Sequence, residues 1–115
     1  MKKLGICVFV GCLFASLRIF AQSSETYTGE ILDSQCAAMH GHQIMMKQGE
    51  SAKDCTTRCV KMGGKYALYD PTAKKAYQLD DQTKTAAFAG QNVTVTGTLN
   101  AATKTIHVTG VKAAS

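Results

Sequence analysis

Tryptophan is absent from this 115-residue chain, proline occurs once, and aromatic residues make up only 7%. Three of the four phenylalanines, Phe9, Phe14 and Phe20, fall near the amino terminus, so the rest of the chain has little flat aromatic surface. That speaks against nucleic-acid recognition by base stacking. Long apolar runs are also missing. Leu4 to Phe14 is short and interrupted by Gly5 and Gly11, which argues against a membrane-spanning helix. There is no Cys-x-x-Cys, no serine in a nucleophile elbow, no tandem repeat and no low-complexity linker. The parts of a familiar enzyme are therefore lacking, and the expectation is a non-enzymatic domain.

What is present begins with a leader. Lys2 and Lys3 precede the apolar segment, and Ala21 is a small residue at a plausible cut, so residues 1–21 read as a secretory signal peptide. A lipoprotein with Cys12 lipidated, or an uncut membrane anchor, is the alternative. Loss of Lys2, Lys3 and Arg18 lowers the net charge from +5 to +2. That bias is too weak to argue for a nucleic-acid partner or an anionic membrane. No membrane span is expected after cleavage. Residues 22–115 make one secreted or periplasmic domain with a small core, of the kind that often adds a disulfide or a metal.

Glu25 to Leu32 alternates as a first strand, with Tyr27, Gly29 and Ile31 on one face. Asp33 and Ser34 are helix caps that start a short helix through Met39, ended by Gly41. Ile44 to Gln48 could add a helical turn. Ser51 caps the clearest helix, with Asp54 placed as in a capping box. Ala52, Cys55, Thr56, Cys59 and Met62 share its apolar face, and Gly63 or Gly64 ends it. Tyr66–Asp70 and Ala76–Leu79 read as a hairpin around Pro71. Asp80–Phe88 is an ambiguous segment with a short capped helix. Val93 to Leu99 alternates with threonine and gives the strongest strand signal, and Thr105–Val111 repeats it. The expected fold is mainly β (α+β): a small five-stranded, OB-like antiparallel barrel, with a helical insert at 33–64 between the first two strands.

The order Gly29-Glu30-Ile31-Leu32-Asp33-Ser34-Gln35-Cys36, Cys55-x-x-x-Cys59, Gly63-Gly64-Lys65-Tyr66-Ala67-Leu68-Tyr69 and Gly90-Gln91-Asn92-Val93-Thr94-Val95-Thr96-Gly97 resembles a group of small secreted bacterial proteins of uncharacterised function. Many members carry a histidine four residues after the first cysteine, and His40 matches it. The resemblance spans the domain after the leader. It implies an extracytoplasmic OB-like domain and brings no activity with it.

All three cysteines beyond the leader, Cys36, Cys55 and Cys59, lie in the insert. An odd number leaves one over from any disulfide. Cys55 and Cys59 are four apart on one helix, where parallel side chains suit a bridge poorly. Cys36 bridged to Cys55 or Cys59 would pin the short helix to the longer one. Closing a loop of roughly 20 residues is worth about 3 kcal/mol in the chain-entropy account. That disulfide-stapled domain is the leading expectation. The alternative is a metal site of Cys36, His40, Cys55 and Cys59, a tetrahedral set that suits zinc. Met39, Met45, Met46 and Met62 nearby would make Cu(I) a second candidate. A thiol redox role, with Cys36 near a helix start, is the third reading. His107 reads as a solvated strand residue and Asp80-Asp81 as helix caps.

Overall fold

Alternation of Val93 and Val95 with Thr94 and Thr96 sets the pattern of the molecule: valines inward and fully buried, threonines half-exposed. The computed structural model describes residues 24–114, and the expected signal peptide and Cys12 lie outside the described residues. Five strands are formed: β1 (Glu25–Asp33), β2 (Tyr66–Asp70), β3 (Lys75–Leu79), β4 (Asn92–Asn100) and β5 (Thr105–Ala113). Three helices interrupt them: α1 (Ser34–Ala38), α2 (Ala52–Lys61) and α3 (Gln82–Ala86). Residues 44–48 form turns instead of a further helix, held by Met45 and Met46 amides donating to His42 O. No helix among the described residues is long and apolar enough to cross a membrane.

The strands form a mixed, mainly β sheet that closes as a ring in the order β1-β2-β3-β5-β4. β1 is long enough to pair twice. Its first part, Glu25–Glu30, faces β4 and its last part, Glu30–Asp33, faces β2. The expectation of a wholly antiparallel arrangement is corrected here. β3 and β5 run parallel, joined through Gln78↔Thr105 and Leu79↔Ile106. The reason is geometric: an odd number of strands cannot alternate direction around a ring, so at least one neighbouring pair must be parallel.

Ile31, Leu68, Leu79, Val93, Val95, Ile106 and Val108 fill the ring. A second cluster lies outside it. Leu32, Cys36, Ala37, Ala67 and Tyr69 are buried where α1 covers β1 and β2. This explains why β1 ends in three consecutive buried residues, Ile31, Leu32 and Asp33: both of its faces are covered there. At Gly29 a side chain would be driven into the carbonyl of Tyr69, so the strand can cross its neighbour only with hydrogen at that position.

The β2–β3 and β4–β5 hairpins are built alike. In the first, Asp70 Oδ1 accepts from the amides of Thr72 (2.9 Å) and Ala73 (3.2 Å). In the second, Asn100 Oδ1 accepts from Ala102 (3.1 Å) and Thr103 (3.4 Å). Each turn ends in a lysine of left-handed conformation, Lys74 at φ 53° and Lys104 at φ 54°.

Candidate metal centre

The site is assembled from the junction of β1 with α1 and from one face of α2. Asp33 ends the strand and caps the helix. Its Oδ1 accepts from the Cys36 amide at 2.9 Å and its Oδ2 from the Gln35 amide at 3.2 Å. Capping fixes the carboxylate over the first turn, which also carries Cys36. The backbone of Gly64 passes against Asp33, and its amide donates to Cys59 O at 3.2 Å, drawing the end of α2 onto the same spot.

α2 starts as its sequence suggests. Ser51 Oγ accepts from the Asp54 amide at 3.1 Å. Cys55, Thr56 and Cys59 are buried on one face. Met62, expected on that face, is 74% exposed, because it lies beyond the last helical turn as the cap residue. Cys59 then meets Cys36: a carboxylate oxygen of Asp33 and the sulfurs of Cys36 and Cys59 all lie within 4.8 Å of one another, and all three residues are buried. Cys55 neighbours Cys59, and Arg58 Nη2 comes within 3.9 Å of the Cys55 sulfur. No cysteine among the described residues is bonded to another.

Burial is the main reason the Cys36 thiol is held far above its ordinary pKa, and the adjacent Asp33 carboxylate adds to it. Burial likewise raises Cys55, with Cys59 and Glu50 contributing and Arg58 opposing. These thiols are therefore neutral near pH 7. They become thiolates only if something replaces the proton's charge, such as a metal ion.

Behind Cys55 stands an ion pair. Arg58 donates to both oxygens of Glu50 at 2.9 Å and to Met45 O at 2.8 Å. It ties the 42–50 connection to α2. The Arg58 hydrogen bonds hold the Glu50 carboxyl down at about 2, and Glu50 raises Arg58 in turn.

His40 does not join the thiols. α1 ends at Ala38, and His40 has φ 64°, so the helical four-residue spacing from Cys36 is not realised. His40 is exposed and stacks on Tyr69, with ring centroids 5.7 Å apart. His42 instead approaches Glu30, at 3.6 Å. Met39 and Met45 are exposed at 44% and 36%, so they provide no buried thioether shell for Cu(I). The donor that sequence reasoning missed is Asp33, read only as a cap. Its Asp-x-x-Cys spacing at a helix start was the available signal. Also missed was Asp80, which accepts from the Val108 amide at 2.8 Å and meets His107 Nδ1 at 2.6 Å.

Comparison with family models, curated proteins and solved structures finds no match to this chain.

Proposed function

We propose that this chain is an exported, non-enzymatic, OB-like domain that binds one zinc ion through Asp33, Cys36 and Cys59, the three donors that converge. The convergence of the Asp33, Cys36 and Cys59 donor atoms within 4.8 Å, from the β1–α1 junction and from α2, carries the reading. A carboxylate oxygen beside thiolates favours zinc over a soft monovalent ion. Asp33 has capacity to spare. An ionised carboxylate offers about four lone-pair positions, and two backbone amides occupy two of them. The ring order and the parallel β3–β5 pair support the OB-like assignment, and the amino-terminal leader supports export.

A second reading has its own observation. The Cys36 and Cys59 sulfurs lie within 4.8 Å of each other, which favours a disulfide between α1 and α2 with Cys55 left reduced. Both readings use the same two sulfurs, so they exclude each other in any one molecule.

Zinc titration of protein refolded under reducing conditions, followed by native mass spectrometry, tests the proposal. One zinc per chain is expected, lost in Cys36→Ser and Cys59→Ser and kept in His40→Ala. Absence of a zinc adduct with all three thiols freely alkylated would overturn it. A mapped Cys36–Cys59 bridge in protein isolated from the periplasm, unchanged by added zinc, would establish the second reading instead.

A further inference from the structure

A cleft of about 970 Å³ opens between α1, β3 and the tips of the two hairpins. Its charge is one-sided. Among residues 24–114, four of the ten lysine and arginine side chains line it (Lys65, Lys74, Lys75 and Lys104), against one of the eight acidic ones, Asp80. Asp80 is already engaged by the Val108 amide and His107. The cleft therefore gathers positive charge that the domain as a whole barely carries.

The two hairpin tips add an independent observation. Lys74 and Lys104 stand at the same place in two turns of the same build, both left-handed. Glycine or asparagine occupies that conformation with less strain. Neither lysine makes a hydrogen bond or ion pair through its side chain within the described structure that would justify the choice. Two strained lysines, both lining one cleft, fit a role for their ammonium groups outside the fold.

We infer that this cleft binds an acidic oligosaccharide, its carboxylates or sulfates held by Lys65, Lys74, Lys75 and Lys104. The volume is that of a ligand site. The ammonium groups are separated point charges, suited to anions spaced along a sugar chain. The two tyrosines that line the cleft give no free base-stacking platform: Tyr66 and Tyr77 are both packed against the ring core, and Tyr77 leans on Tyr27 at 56°. This selects a saccharide over a single-stranded nucleic acid.

The test is binding of fluorescent oligogalacturonate and, separately, a thymidine oligonucleotide at low and moderate salt. The Lys74→Asn/Lys104→Asn double variant relieves backbone strain, so it should unfold at the same or a higher temperature. It should nevertheless lose oligogalacturonate affinity by about tenfold or more, with a reduced salt dependence. Lys53→Asn/Lys112→Asn, outside the cleft, should bind as the parent does. Equal loss in both double variants, or no binding at low salt, overturns the proposal. Tighter binding of the oligonucleotide than of oligogalacturonate overturns the saccharide assignment.

Discussion

Asp33 and Cys36 are joined through the main chain and through their side chains. The Cys36 amide donates to Asp33 Oδ1 at 2.9 Å, and the thiol lies beside the same carboxylate. The group that starts α1 is therefore also the group that borders the thiol, and changes at one are felt at the other.

Replacing Asp33 by asparagine separates these two roles. Asparagine keeps one acceptor for the Cys36 amide but sets its NH2 group where Oδ2 accepted from the Gln35 amide, so a loss of about 1–2 kcal/mol is expected. Zinc affinity should fall at least tenfold, because a neutral amide is a poor ligand. Competition titration against a chromophoric chelator, alongside urea unfolding, checks both halves. Equal zinc affinity in the variant would remove Asp33 from the ligand set.

Zinc binding should strengthen steeply with pH. Cys36 carries its proton well above neutrality in the metal-free protein. Each proton that zinc displaces contributes about a tenfold gain in apparent affinity per pH unit. The slope of log affinity against pH between 6 and 8 counts the displaced protons, and a flat profile would mean that thiols do not bind the metal.

Acid should release the 42–50 connection before it unfolds the ring. Arg58 depresses the Glu50 carboxyl to about 2. A depressed carboxyl contributes stability that is present above its ordinary pKa and lost as the pH falls through the depressed value. Amide exchange in residues 42–50 should thus accelerate as the pH is lowered from about 4.5 towards 2, after correction for the intrinsic rate. In Glu50→Gln the same segment should exchange quickly throughout. Protection that does not change with Glu50→Gln would show that Arg58 anchors the loop through Met45 O alone.

Gly29→Ala should destabilise the domain by about 1–3 kcal/mol, the usual range for overpacking. The added methyl would meet the Tyr69 backbone instead of a movable side-chain end. A shift in the urea midpoint at constant slope is the expected signature. A variant as stable as the parent would mean that β1 and β2 can separate locally at no cost.

Much of the framework was legible because local signals agree. Ser51 capped α2, valine alternated with threonine along β4, and Pro71 marked the first hairpin turn. The parallel β3–β5 pair was not legible, since its partners lie 27 residues apart and no local pattern encodes which strand closes a ring. Cys55 and Cys59 shared a helical face as their spacing implied. His40 failed the same inference because α1 stops two residues too early for the spacing to be helical. Asp33 was hidden by its own strongest signal: a residue that caps a helix so well gives the sequence no further reason to be read as a ligand.

The junction of β3 with β5 rests on two register pairs, reinforced by the amides of Gln78 and Asp80 donating to Lys104 O (2.9 Å) and Ile106 O (3.2 Å). Every other seam of the ring has at least four register pairs. Here the molecule has, in effect, a clasp. Lys75 stands on one side of it and Lys104 on the other, so a chain of negative charges laid across both would hold the clasp shut, and its arrival would be read as slower solvent exchange along a backbone that it never touches.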